Sequence, residues 1–166
     1  MKNNTNTIRI VFVMDALNII MTASQFQPEN LMLLDCRPNM IMPGKFTKVM
    51  YSDECITLNN ISLILPLENT KVSGAVSKTF LSFASTSRKN SQVIADIIGI
   101  EDYILSYYTQ ITASHKMRVS SLHDHLQNGY IKIYPSGTGT TYILRISGVW
   151  EDDTRIGLTY KLMSTG

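Results

Sequence analysis

The sequence predicts a mainly β protein with a helical insertion. Three observations predict it. The C-terminal run from Gly129 to Met163 alternates apolar and polar residues in three segments separated by turn residues. A second series of short alternating segments occupies Lys45 to Ala84. Between these two regions the apolar period changes from two residues to three and four.

The C-terminal run carries the clearest signal. Tyr130–Tyr134, Thr141–Trp150 and Thr154–Met163 read as strands. Ser136-Gly137-Thr138-Gly139 links the first two, and Glu151-Asp152-Asp153 links the second to the third. Short loops between alternating strands favour hairpins, so the expectation is a three-stranded antiparallel meander. In the earlier region Thr7–Met14 alternates and reads as a strand, and Asp15–Ser24 reads as its extension or a short helix. Gln25–Gly44 contains Pro28, Pro38 and Pro43 and reads as an irregular connection with one short element. Lys45–Tyr51, Cys55–Leu58 and Ile61–Leu65 follow as strands, the last two joined by Asn59-Asn60, which tolerate a left-handed turn. Lys78–Ala84 is a further strand, and Ser85–Asn90 leads out of the sheet.

From Val93 to Ile111 apolar residues recur at helical steps, with Asn90 or Ser91 as the expected cap and Gly99 as the expected break. A short helix is expected over Ser120–Gln127, ended by Asn128-Gly129. Strands, then helix, then strands is the order of an OB-like barrel, here with extra strands; a jelly roll or β-sandwich with one helical crossover is the alternative. A chain of 166 residues with 44% hydrophobic content suits one domain with a real core.

Composition narrows function. Net charge is +2, which permits a polyanionic partner without demanding one. Cys36 and Cys55 are far from each other and from His115, His123 and His125, so no metal site is expected and the thiols read as reduced and part-buried. No apolar run nears the ~20 residues of a membrane span, and no signal peptide is recognisable, so an intracellular protein without a membrane partner is expected. His123-Asp124-His125 places its imidazoles on different sides of a helix. Gly137-Thr138-Gly139 lacks the Lys-Ser/Thr and the helix of a phosphate loop. Glu151-Asp152-Asp153 reads as a soluble turn and Trp150 as a core or sheet-edge anchor. No nucleophile–base pair is suggested, so neither catalysis, a cofactor nor a small-molecule substrate is expected.

Alternation does suggest one surface. Tyr130, Lys132 and Tyr134 share a face of their strand, Arg145 points away from Leu144 and Ile146, and Arg155 and Lys161 point away from Ile156 and Leu158. Lys45, Lys48, Tyr51, Lys78 and Phe80 come from the earlier strands. Rings interleaved with cations suit single-stranded nucleic acid, whose bases stack while its phosphates meet the cations. Charge is skewed the same way. Arg37–Lys89 holds seven basic and three acidic residues, whereas Asn90–Gly129 holds Lys116 and Arg118 against Asp96, Glu101, Asp102 and Asp124.

The segments GKFTKVMYSDECITLNNISLILPL and LQNGYIKIYPSGTGTTYILRISGVWEDDTRIGLTYKL, above all ISGVWEDDTRIGLTYKL, are similar to small proteins of large double-stranded DNA viruses associated with OB-fold single-stranded DNA binding. The resemblance implies a non-catalytic single-stranded DNA-binding protein acting in viral replication or repair, in the host nucleus or cytoplasm. Many such binders end in an acidic tail that recruits partners. This chain ends Met163-Ser164-Thr165-Gly166, so recruitment by that route is not expected. A homo-oligomer is compatible with this reading. The rival readings are a viral shell-like subunit and a protein–protein module using the Met-rich segment Met32–Met50.

Overall fold

The computed structural model describes residues 10–13, 16–75, 78–135 and 139–165. In chain order its strands are β1 (Ile10–Val13), β2 (Ala16–Ile19), β3 (Leu31–Leu33), β4 (Arg37–Pro38), β5 (Lys45–Ser52), β6 (Thr57–Leu58), β7 (Ile61–Leu65), β8 (Lys71–Ala75) and β9 (Lys78–Ser82). Helix α1 (Arg88–Thr112), β10 (Met117–Val119) and α2 (Ser121–Gln127) follow, then β11 (Tyr130–Pro135), β12 (Thr141–Glu151) and β13 (Arg155–Thr165). The protein is therefore mainly β with a helical insertion, as the alternation predicts.

The spine is the antiparallel pair β12–β13, which runs from Thr141↔Thr165 to Glu151↔Ile156. Its turn is built by one side chain. Asp152 Oδ1 accepts from the backbone N–H of Thr154 at 2.9 Å and of Arg155 at 2.7 Å. Each long strand carries two shorter neighbours end to end on its free edge. On β12 these are β7, opposite Tyr142–Ile146, and β5, opposite residues 148–151. On β13 they are β10 and β11, both parallel to it. The sheet continues from β11 through β9 to β8, giving the open order β3-β5-β12-β13-β11-β9-β8. Beyond its pairing with β12, β5 also meets β3, β4 and β6. β1 and β2 form a separate hairpin.

Of the expected meander, the β12–β13 hairpin forms and the β11–β12 pair does not. β11 lies parallel to β13 and antiparallel to β9. Alternation assigns each residue to a face but says nothing of which strand lies alongside. The linking residues 136–138, within the expected Ser-Gly-Thr-Gly turn, lie outside the described residues, as do residues 1–9 and 14–15, which hold the polar N-terminus and both ends of the expected Thr7–Met14 strand. Cys55–Leu58 contributes only the two-residue β6. Both cysteines are exposed rather than part-buried, because each lies in a loop that the core does not cover.

The core lies between one sheet face and the helices. It is built from Ile61, Leu63 and Leu65 of β7, Leu81 of β9, Ile131 and Ile133 of β11, Leu144, Ile146 and Val149 of β12, and Ile156, Leu158 and Leu162 of β13. A bulge at Ser147 shifts the alternation by one, which keeps Val149 inward after Ile146. Helix α1 presents Ile94, Ile97, Ile104, Leu105 and Tyr108 to this face. It runs unbroken through Gly99, and its cap is Ser87, whose Oγ accepts from Asn90 N at 3.2 Å; Asn90 and Ser91 are already inside the helix. Tertiary packing over seven turns outweighs one glycine.

Three polar groups stand on the buried stripe of α1, and each is satisfied. Asn90 bonds Glu68 N, Glu68 O and Ala84 O. Tyr108 donates to Glu151 Oε2 at 2.5 Å. Glu101, fully buried, accepts from Leu122 N at 3.3 Å and His123 N at 2.8 Å, the first-turn donors of α2. Ser120 makes no side-chain cap bond there, so the carboxylate from α1 serves as the cap of α2.

Three outcomes follow. Apart from the helix's own backbone and the adjoining residues, no atom lies within 4 Å of the place a Gly99 Cβ would take, so Gly99→Ala raises stability by about 0.5–1 kcal/mol in urea titration. Glu101→Ala strands two donors and costs about 2–3 kcal/mol by the same measurement. Burial holds the Glu101 carboxyl above its ordinary 4.5, against the pull of its two N–H donors. The folded state therefore binds this proton more tightly than the unfolded chain. Its contribution to stability is full below 4.5 and declines as pH rises through the folded-state value, a slope that Glu101→Gln removes in urea titrations at stepped pH.

Candidate nucleic-acid interface

The face of the sheet away from the helices is defined by register. Phe80 of β9 pairs with Ser73 of β8 on one side and Lys132 of β11 on the other. Lys132 and Lys161 each precede the pair Ile133↔Leu162, so they are neighbours across β11 and β13. Lys161 pairs with Arg145 of β12, and Arg145 with Ser62 of β7. One row thus crosses six strands as Ser73, Phe80, Lys132, Lys161, Arg145, Ser62, at steps of about 4.8 Å.

The rings flank this row. Phe80 and Tyr130 stack with centroids 4.7 Å apart and planes 14° from parallel. Tyr134 is approached by two ammonium groups, Lys132 Nζ at 4.8 Å and Lys161 Nζ at 5.4 Å from its centroid. Such contacts attract a cation without neutralising it. Tyr130 is 46% and Tyr134 41% exposed. Arg145 meets a neutral partner: with the Asn60 amide oriented to satisfy its neighbours, Asn60 Oδ1 accepts from Arg145 Nη2 at 3.0 Å and Nε at 3.2 Å.

Like charges directly opposed on neighbouring strands repel, so the placement of Arg145 against Lys161 is unfavourable unless something offsets it. Among the described residues the ion pairs join Lys89 to Glu68, Lys116 to Glu151 and Arg155 to Asp152; none reaches Lys132, Lys161 or Arg145. The seven strands β5, β7, β8, β9, β11, β12 and β13 hold eight basic residues and one acid, Glu151, which faces the helices. The row is therefore a concentrated, uncompensated positive charge beside exposed rings.

The eleven residues singled out in the sequence divide accordingly. Phe80, Tyr130, Lys132, Tyr134, Arg145 and Lys161 are brought together. Lys78, two residues from Phe80 on β9, lies on the same face at its edge. Lys48 pairs with Gly148 on this face, but its Nζ donates to Asn59 Oδ1 at 3.2 Å. Arg155 shares the face of Lys161 six residues away, held in the turn by Asp152 at 2.8 and 3.0 Å. The backbone donor of Thr154 above all, then Arg155, holds the Asp152 carboxyl down to about 2.

Two residues are not on this surface. Tyr51 is 7% exposed; it packs in the core and its hydroxyl accepts from Gln27 N at 2.9 Å. Lys45 pairs with Glu151, whose side chain faces the helices, so Lys45 lies on the opposite side. It lines a cleft of about 680 Å³ with Tyr108, Lys116 and Glu151. Burial raises the Tyr108 hydroxyl far above its ordinary value, and the bond to Glu151 adds to this. Burial also pushes Glu151 up, but its bonds from Lys116 and Tyr108 bring it below the ordinary carboxylate value. Alternation within one strand does not say which face the helices cover, and for Lys45 and Tyr51 it is the helix side.

Ser73 and Ser62, the ends of the row, gave no sequence signal, because a serine marks nothing until its strand is placed. His123 and His125 do not converge: the His123 backbone bonds Glu101, and His125 Nδ1 lies 2.6 Å from Tyr160 Oη. Trp150 is neither core nor edge. It lies on the outer face over Gly157, where an added Cβ would sit 2.6 Å from the indole, and Phe46 lies over Gly148 in the same way. The outer face is thus closed by its own aromatics at this end and left open at the other.

No protein-family model, no curated protein and no solved structure matches this chain.

The glycine under Trp150 makes a sharp test of this packing. Strand propensity alone favours valine at position 157. The collision predicts instead that Gly157→Val costs about 1–3 kcal/mol and moves Trp150 emission to longer wavelength as the indole is lifted into water.

Proposed function

We propose that this chain binds single-stranded nucleic acid, single-stranded DNA in the first instance, through the outer face of its sheet and without catalysis. The observation that supports the reading is the row Lys132–Lys161–Arg145, opposed like charges with no acidic partner, set between the stacked pair Phe80–Tyr130 and the ring of Tyr134. Phosphates offset the repulsion that the fold leaves in place. The exposed edge of Tyr130 and the outer face of its stack take a base, at roughly 1–3 kcal/mol per stacked base.

Tyr134 has a different role from Tyr130. Its ring is engaged by two ammonium groups, so it holds Lys132 and Lys161 in place for phosphate and is not a free stacking platform. The row runs across the strands, so a bound strand crosses the sheet rather than following β11. The order of strands, helix and strands, together with a β5 shared between pairing sets, supports an OB-like arrangement, with the described sheet open at β8. A role in viral DNA replication or repair rests on the sequence resemblance alone.

Salt dependence tests the assignment. Each phosphate contact on a single strand contributes about 0.7 to the slope of log K against log salt. Lys132→Ala with Lys161→Ala flattens that slope by about 1.4 in anisotropy titrations with labelled oligo-dT. Lys45→Ala, on the other side of the sheet, leaves it unchanged. A folded double variant with the wild-type slope removes the site, and equal losses from Lys45→Ala remove its localisation.

A further inference from the structure

The loop between β4 and β5 carries the most exposed large apolar side chains among the described residues, Met40 at 94% and Ile41 at 93%. Its backbone is held firmly. Asn39 N donates to Gly44 O at 2.9 Å, Asn39 Oδ1 accepts from Ile41 N at 3.0 Å, and Gly44 closes the loop at φ +124°. An added Cβ at Gly44 would lie 2.1 Å from Glu151 O, so the loop also abuts the spine. Two apolar side chains presented to water by a braced loop are costly, at about 25 cal/mol for each Å² left uncovered.

At the other end of β5 there is a matching recess. Ile19, Met21, Tyr51, Ile56 and Leu58 line a cleft of about 200 Å³, room for one aliphatic side chain. Tyr51 is fixed in its wall by Gln27 N. The charges at the two ends are opposite. Arg37 and Lys45 stand on either side of the tip loop, at the β4–β5 pair. Asp53 lines the cleft, Glu54 follows it in an exposed turn, and Glu29 lies in the adjoining 3-10 turn. The donors of Cys55 and Ile56 hold the Asp53 carboxyl below its ordinary value, so it is ionised.

We propose that copies of this chain associate head to tail, the Met40–Ile41 tip of one entering the cleft beside Tyr51 of the next. Tip and cleft sit at opposite ends of an eight-residue strand, about 26 Å apart, so a chain cannot plug its own cleft. A plug and a socket on different parts of one surface make a heterologous contact, which propagates into an open array unless its rotation closes a ring. The basic collar meets the acidic rim and sets the orientation. A lipid surface fits less well, since recognition of anionic membranes uses clusters of 4–8 basic residues and only two flank this tip. The proposal stands apart from nucleic-acid binding, and its test uses none.

Sedimentation velocity of the full chain, between about 10 µM and 1 mM, shows mass-dependent association of the wild type, as a small contact predicts. Ile41→Asp spoils the plug and Ile56→Arg the socket. Each variant alone sediments as a monomer, with association weakened at least tenfold. An equimolar mixture forms a dimer and nothing larger, since only one intact plug and one intact socket remain usable. Ile56 is partly buried, so Gln27→Arg, at an exposed position on the cleft, serves as a second socket variant where Ile56→Arg does not fold. A wild type that stays monomeric, single variants that still associate, or a mixture that stays monomeric each overturns the proposal. Ile41-dependent sedimentation with phosphatidylserine vesicles, in a wild type that does not self-associate, overturns it in favour of a lipid surface.

Discussion

The full-length pairing of β12 with β13 is the constraint on which everything else rests. Eleven-residue strands joined by a turn that Asp152 organises give one long ladder, and every other main-sheet strand is placed by docking on one of its two edges or on a strand so docked. Face assignment in a sheet is all or none. A slip of one residue would turn Leu144, Leu158 and Leu162 to water and Arg145 and Lys161 into the core. The buried face fixes the register, and the charged row on the other face is a consequence.

The helix layer adds a second constraint, through polar contacts rather than apolar ones. An apolar stripe on α1 can slide by a turn at modest cost, because one aliphatic contact resembles another. Asn90, Glu101 and Tyr108 cannot, since each is buried with a specific partner on β-linked loops, α2 and β12. A slip would leave buried donors and acceptors bare, at about 1–3 kcal/mol each. The same contact at Glu151 joins Tyr108 to Lys116, which anchors the segment entering β10. Glu101 and the Lys116–Glu151 pair are satisfied on the side of the helices, whereas Lys132, Lys161 and Arg145 face out with no acidic partner among the described residues.

The outer surface is itself divided. At the β5 end Phe46 and Trp150 fold over Gly148 and Gly157 and shield the backbone. At the β9–β11 end Tyr130 and Tyr134 stay exposed, with cations between them. A nucleic-acid surface on one half and a self-association contact at the ends of β5 would not compete. Copies joined along β5 would leave their charged rows free, so the two proposals are compatible while each stands on its own observation.

The sequence by itself determined which residues are strand or helix in the long periodic stretches, and which side chains share a face within one strand. Leu144 opposite Arg145, Tyr130 with Lys132 and Tyr134, and the apolar stripe of α1 were all legible, because period 2 and period 3.6 are local properties of the chain. Tertiary structure alone decided which strands lie side by side: β11 beside β13 rather than β12, Lys161 between Lys132 and Arg145, Lys45 turned to the helices and Tyr51 taken into the core. Neighbour choice is set by which edges remain free once β12 and β13 have paired and by which face the helices cover. Both are non-local, and no pattern within a single segment carries them.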